Sequence, residues 1–198
     1  MTSLLDSLKQ QLGPDTIQQI STKLGADPAM TSNAIAVALP ILLGGLGRNA
    51  ASTDGAQKLD TALGAHDGSI LNDLGGLLNN PAGGIGGAIL GHILGSRQAP
   101  VEQGVSKATG MNAQQVTQLL MMLAPIVMGV LGRMKQQQGL GPAQIPDVIN
   151  QGRAEIEKQA PGTSVLGSIL DSNHNGSIVD DVARIGTSVL GGLFSHRA

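Results

Sequence analysis

The chain has 198 residues, of which 41% are hydrophobic, only 1% aromatic and 13% charged, with a formal net charge of −2 and no cysteine. The lack of cysteine excludes disulfides, thiol catalysis and thiolate metal sites, and without a basic stripe or stacking aromatics the composition predicts no nucleic-acid partner. Charged residues usually make up about a quarter of a soluble domain, so this sparse charge favours self-association or a face that binds a partner.

The first segment, "MTSLLDSLKQQLG" (1–13), predicts an amphipathic helix. It has no basic stretch followed by a long apolar run, which a secretory signal peptide requires. The sequence therefore predicts a cytoplasmic protein by default, and signal-independent export stays open as an alternative.

Two helices are predicted next, at about 14–24 and about 28–48. Gly25 ends the first, because glycine readily adopts the left-handed conformation that follows a helix, and Asp27 caps the second. The second helix contains a 14-residue apolar run, shorter than the roughly 17–25 residues that cross a membrane. The run therefore predicts a buried core helix, and Pro40 within it predicts a kink.

Glycine then recurs at every fourth position of one segment, as Gly83, Gly87, Gly91 and Gly95. Such a stripe of small residues lets two helices approach closely. Three interpretations are open: a flexible linker, a helix contact within the chain or between copies of it, and a membrane-inserting zipper.

The second half of the chain repeats the first. Residues 20–48 align with 105–133 at an offset of 85, and 66–74 align with 174–182 at an offset of 108. Asn112 falls where Asp27 does and predicts a second long helix, at about 112–136, which contains Pro125 as the first contains Pro40. Repeats of this kind usually share one architecture.

No segment alternates apolar and polar residues as a strand does. We therefore predict an all-α fold that is internally duplicated, with helix-turn-helix elements in each half. The halves, 1–97 and 98–198, are expected to form one compact unit. The second half carries an insertion, 136–162, which is the most charged stretch and predicts a solvated helix bounded by Pro146 and Pro161.

The stretch "DSNHNGSIVDD" (171–181) resembles the opening of a calcium loop, with oxygen-bearing side chains at alternate positions followed by glycine. Position 12 of that loop normally holds a bidentate glutamate, but here it is Val182. With asparagine at two of the ligand positions, the calcium-loop-like turn 171–182 predicts binding in the weak, millimolar range. The candidate metal ligands are Asp171, Asn173, Asn175, Ser177 and Asp181.

An alternative interpretation of this turn is a helix cap that needs no metal. The first copy, "HDGSILNDL" (66–74), keeps the His, Gly, Ser and Ile of the motif. Leu63 and Ala65 stand where the second copy has Asp171 and Asn173, so the shared part of the motif works without the ligand set. The cofactor prediction is accordingly either none or weakly bound calcium.

Catalytic motifs are missing from the sequence. It has no nucleophile elbow, P-loop, dinucleotide fingerprint or zinc-binding helix motif, and its histidines are too scattered for metal spacing. We therefore predict that the protein is not an enzyme. The histidines are His66, His92, His174 and His196.

Several segments together resemble the bacterial YidB-like family of uncharacterised proteins, and the likeness covers nearly the whole chain. The resemblance implies an all-helical protein with a homeodomain-like arrangement of helices and no established activity. The segments are "SLLDSL", "ALPILLGGLGRNA", "HDGSILNDLGGLL", "ILGHILG", "VEQGVSKATG", "LLMMLAPIVMGVLGR" and "DSNHNGSIVDDV".

These patterns predict a non-enzymatic structural or interaction protein that self-associates or binds a protein or surface partner. One alternative is a calcium-stabilised secreted or envelope protein, which depends on the 171–182 turn. Another alternative is a DNA-binding regulator that uses the helix-turn-helix elements, but the composition of the chain argues against this function. Membrane contact through the short apolar helices is a minor alternative.

Overall fold

The structure, a computed structural model, describes residues 3–79 and 85–159. Within these ranges every regular element is helical, which confirms the predicted all-α fold. Two short 3-10 helices, Ser69–Asn72 and Gly95–Arg97, accompany the α-helices. The α-helices are α1 (Leu4–Gln11), α2 (Pro14–Leu24), α3 (Pro28–Asn49), α4 (Thr53–Ala65), α5 (Leu74–Asn79), α6 (Gly86–Leu94), α7 (Gln98–Thr109), α8 (Ala113–Gln138) and α9 (Ile145–Gln159).

The boundary between α2 and α3 forms as the sequence predicts. Gly25 ends α2 in the left-handed conformation, with φ at 59°. Asp27 caps α3, since its Oδ1 accepts a hydrogen bond of 2.8 Å from the backbone N–H of Ala29. Pro40 lies buried inside α3, which runs on past it.

The boundary between α7 and α8 repeats this chemistry. Gly110 ends α7 with φ at 77°, and the Asn112 side chain accepts a 2.9 Å hydrogen bond from the backbone N–H of Gln115. The Gln115 side chain in turn accepts from the Asn112 backbone, which completes a capping box. The Gln115 amide also donates to the carbonyl of Leu24 at the end of α2. Matching caps support the duplication, which stays a prediction.

The two long helices, α3 and α8, form the centre of the core. They have 22 and 26 residues and are apolar enough to cross a membrane by length and composition, so the short length of their apolar runs does not exclude a span. However, 67% and 78% of their most apolar windows are buried inside the molecule. That burial is typical of core helices in soluble proteins and agrees with the predicted core role.

The predicted insertion contains α9, which is helical as predicted, but it is not solvated on every side. One face of α9 is buried and packs along α3. The buried positions are separated by four, three and four residues, which is the spacing of one helix face. Pro146 lies in the first turn of α9, where proline is tolerated, instead of preceding it. The buried residues are Ile145, Ile149, Gly152 and Ile156.

The predicted halves pack across each other. α6 of the first half lies against α8 of the second, and α9 of the second half lies against α1 and α3 of the first. A single continuous cluster of buried apolar side chains joins all these helices. The described residues therefore form one packed unit.

Candidate functional site

The five predicted metal ligands, Asp171, Asn173, Asn175, Ser177 and Asp181, lie outside the described residues, and calcium binding stays a prediction. Within 3–79 and 85–159, no three His, Asp or Glu side chains are placed to hold a metal ion together. The part of the metal motif that the structure does describe is its first copy, at 66–74.

The first copy is a turn closed by its own side chains. Oδ1 of Asp67 accepts a 2.9 Å hydrogen bond from the backbone N–H of Ser69. Gly68, with φ at 85°, takes a left-handed conformation that suits glycine. Oδ1 of Asp73 accepts a 2.8 Å hydrogen bond from the backbone N–H of Gly76, close to the start of α5. The carboxylates of the first copy therefore accept hydrogen bonds from the backbone of the turn itself.

This closure changes the acidity of one carboxyl group. Hydrogen bonds from the backbone N–H and then the hydroxyl of Ser69 lower the pKa of Asp67 from its ordinary value of 3.8, because they stabilise the carboxylate. His66 adds a smaller electrostatic contribution of the same sign to this pKa. In the second copy Asn175 stands at the position of Asp67 and Ser177 at that of Ser69.

The turn docks on the C-terminal half of α8. Nη2 of Arg133 donates hydrogen bonds to the carbonyl of Gly68, at 3.1 Å, and to Oδ1 of Asn72, at 3.3 Å. A Cβ at Gly132 would overlap the carbonyl oxygen of His66, so glycine is needed for this close approach. The arginine and the glycine together hold the turn against α8.

An open cavity of about 490 Å³ lies beside the turn. His66, Ser69 and Asp73 share its lining with the exposed Ile85. These residue types occur in nucleophilic triads. Here, however, Asp73 is hydrogen-bonded to a backbone N–H instead of orienting the imidazole. The geometry therefore indicates a structural turn.

The corresponding face of α3 is occupied by a different element. Gly44 and Gly47 align with Gly129 and Gly132, and both face α9. A Cβ at Gly47 would lie 3.2 Å from Oδ1 of Asn150. The insertion helix α9 thus takes, on α3, the place that the turn takes on α8.

Among the described residues, the glycines of the stripe do not make a close contact with another helix. A Cβ at Gly87 would lie 3.8 Å from the terminal methyl of Met121 on α8, and a Cβ at Gly91 or Gly95 would meet nothing within 4 Å. α6 buries a different face, which includes Leu90 and Ile93, and Ile93 lies against Gly45 of α3. The flexible-linker interpretation is also wrong for Gly86–Leu94, which is helical, and Gly83 lies outside the described residues.

An apolar groove of about 390 Å³ runs between α1, α3 and α9, and we call it the α1–α3–α9 groove. Leucine and isoleucine side chains form its walls, and Ala36 lies half-exposed on its α3 side. Nζ of Lys9 donates a hydrogen bond to Oε1 of Gln159 at one rim. The lining residues are Leu5, Leu8, Lys9, Leu12, Ser32, Ile35, Ala36, Leu39, Ile156 and Gln159.

Close approach of α9 to α1 shapes this groove. A Cβ at Gly152 would lie 2.9 Å from Cβ of Leu4, so only glycine lets the two helices meet here. The sequence interpretation missed the groove because it treated the insertion as solvated. The isoleucines of α9 recur at helical spacing, and this periodicity was the signal that could have placed one face of α9 in the core.

A family model described as "Bacterial protein of unknown function (DUF937)" matches residues 6–134, which run from α1 to near the end of α8. α9 and the 171–182 turn lie beyond the matched residues. No curated protein and no solved structure matches the chain at a significant level.

Proposed function

The chain belongs to this family of bacterial proteins of unknown function (DUF937), and we propose that it is a non-enzymatic protein whose role is association with a second copy of itself through the α1–α3–α9 groove. The groove carries the proposal, because its walls are aliphatic and its polar residues, Lys9, Ser32 and Gln159, are exposed. Apolar surfaces rimmed by polar residues are typical of protein contact sites.

The composition supports the same role. With only 13% charged residues, little of the surface is strongly hydrated. The carboxylates of the described turn are engaged with backbone N–H groups, so they are not arranged as an acid–base pair. Burial of α3 and α8 supports a water-soluble protein, and the cytoplasm is the compartment that we propose. YidB-like membership is likewise part of this proposal.

Molar mass measured over a range of concentrations tests self-association. The wild type should rise above the 20.0 kDa of one chain as concentration increases. Ala36→Glu should keep the protein at the mass of one chain, because it places a carboxylate against the leucines of the groove, where burying a charge is costly. Asn33→Glu, on an exposed position of α3 that does not line the groove, is the matched control.

The proposal fails if the wild type stays at the mass of one chain up to about 1 mM, a concentration at which even weak dimers form. Association that Asn33→Glu weakens as strongly as Ala36→Glu would also contradict the groove as the contact surface. If the wild type stays at the mass of one chain but binds a different protein, and Ala36→Glu abolishes that binding, the groove would instead be the contact surface for that other protein.

A further inference from the structure

We infer that two copies of the chain are held together by reciprocal hydrogen bonds, in which the Ser32 hydroxyl of each copy donates to the backbone carbonyl of Ala36 in the other. This inference rests on the proposed function, since it names the atoms of the α1–α3–α9 groove that bind the second copy. The contact is isologous, which means that the same patch of α3 serves both copies.

Pro40 leaves one backbone carbonyl of α3 without its usual donor. Proline has no N–H, so it cannot donate to the carbonyl of Ala36, four residues earlier in the helix. Ala36 lines the groove and is half-exposed, so a second copy can reach this wall. A backbone carbonyl that becomes buried without a donor is costly. A partner that covers this wall must therefore supply a donor.

Ser32 provides such a donor one turn earlier on α3. Its side chain is exposed and lines the same groove. Hydroxyls within helices often donate back to a carbonyl of their own helix, as those of Thr109 and Thr117 do at 2.7 and 2.9 Å. Among the described residues, the Ser32 hydroxyl makes no such hydrogen bond. It is therefore available to a second copy.

One donor and one acceptor on the same helix face make the patch self-complementary. Positions 32 and 36 are one helical turn apart, about 6 Å along the axis. When two α3 helices cross antiparallel with the two-fold axis between these positions, position 32 of each copy faces position 36 of the other. α3 has no charged residue between Asp27 and Arg48, so no like charges oppose the contact. Ala29 and Ala36 carry only methyl side chains, which lets the helices approach closely.

The equivalent position of α8 is covered by a helix of the same chain. Ala36 aligns with Met121 at the offset of 85. Pro125 follows Met121 by four residues, as Pro40 follows Ala36. α6 packs on α8 there, since a Cβ at Gly87 would lie 3.8 Å from the terminal methyl of Met121. On α3 the described residues leave the corresponding place open as the groove, and a helix of the second copy takes it.

Substitution of the donor gives the first test, with the dissociation constant of the full-length chain measured from molar mass over a range of concentrations. Ser32→Ala should raise that constant about 30-fold, because each dimer loses two hydrogen bonds and buries two unpaired carbonyls. Asn33→Ala, at an exposed position of α3 that does not line the groove, is the control and should leave the constant unchanged.

Substitution of the proline tests the acceptor. Pro40→Ala restores the N–H that the Ala36 carbonyl lacks, so it should weaken association about ten-fold or more. Pro125→Ala restores the equivalent N–H in α8, away from the groove, and should leave the dissociation constant as in the wild type. Denaturant unfolding shows that both variants are folded before their association is compared.

Disulfide formation tests the reciprocal geometry, and the chain has no cysteine of its own to interfere. In a mixture of Ser32→Cys chains and Ala36→Cys chains, the mixed dimer should cross-link faster than either variant does with itself. The reason is that position 32 of one copy lies opposite position 36 of the other. Mass spectrometry distinguishes the three cross-linked products.

The inference is overturned if the wild type associates but Ser32→Ala leaves its dissociation constant unchanged. It is also overturned if a folded Pro40→Ala variant associates as Pro125→Ala does, or if each cysteine variant cross-links with itself as fast as with the other. In these cases self-association through the groove still stands, provided that Ala36→Glu abolishes it. A wild type that stays at the mass of one chain rejects the proposed function, and this inference with it.

Discussion

At the scale of single residues, the carboxylate of Asp67 links the turn to pH. Its pKa lies below the ordinary value of 3.8, because the backbone N–H of Ser69 donates to the carboxylate in the folded state. Because the pKa of Asp67 is lower in the folded state than in the unfolded state, its carboxylate contributes fully to the unfolding free energy at pH values above the pKa of the unfolded state. This contribution is lost as the pH falls through the pKa of Asp67 in the folded state.

Asp67→Asn should therefore flatten the dependence of the unfolding free energy on pH below about pH 4, and leave the dependence at higher pH unchanged. Urea unfolding at a series of pH values measures this. If the unfolding free energies of the wild type and of Asp67→Asn change with pH in parallel, protonation of Asp67 does not affect stability and the prediction is wrong.

A second residue-scale prediction concerns Thr31 near the start of α3. Its side chain is 0% exposed, and among the described residues its hydroxyl has no hydrogen-bond partner. Thr31→Val should raise the unfolding free energy by about 1 kcal/mol, because it removes an unsatisfied buried polar group. Denaturant unfolding checks this.

The control for Thr31→Val is Ser21→Ala. Ser21 is also buried, at 1% exposure, but its hydroxyl donates a 2.8 Å hydrogen bond to the carbonyl of Gln18. Ser21→Ala should lower the unfolding free energy. If both substitutions destabilise the protein equally, the Thr31 hydroxyl has a partner and the prediction is wrong.

At the scale of elements, α4 and the turn approach α8 most closely at Gly132. Gly132→Ala should lower the unfolding free energy by about 2 kcal/mol or more, because its Cβ would overlap the backbone of His66, which cannot rotate away. Thermal and denaturant unfolding measure this loss.

The equivalent glycine of α3 gives the matched comparison. A Cβ at Gly47 would lie 3.2 Å from the Asn150 side chain, which can move, so Gly47→Ala should lower the unfolding free energy less than Gly132→Ala does. Equal losses of unfolding free energy for the two variants would contradict this difference in packing between α8 and α3.

Gly91→Ala meets open space, so it should stabilise α6 by up to about 1 kcal/mol through helix propensity.

At the scale of the whole molecule, the remaining prediction concerns calcium and assembly together. Calorimetry should detect heat only at millimolar calcium, because Asp171 and the closing aspartates are the only charged candidates in the turn. Asp171→Asn should abolish that heat. Micromolar affinity, or a molar mass that changes with calcium, would support the alternative of a calcium-stabilised protein.

For the residues that the structure describes, the sequence alone determined much of the local structure. Gly25, Asp27, Gly110 and Asn112 place the ends of four helices, because capping depends on one side chain or one φ angle within a few residues. The long apolar runs in α3 and α8 likewise identified these two helices as core helices. The turn at 66–74 was recognised as structural because its motif occurs without the metal ligands.

Only the tertiary structure decided which faces meet. α9 is polar enough to look solvated, yet it packs on α3 because the glycines of α3 leave room for it. The glycine stripe of α6 looks like a contact, yet Gly91 and Gly95 face open space and α6 buries other residues. The groove exists only where α1, α3 and α9 converge. Such contacts join residues that are distant in sequence, and no local pattern encodes them.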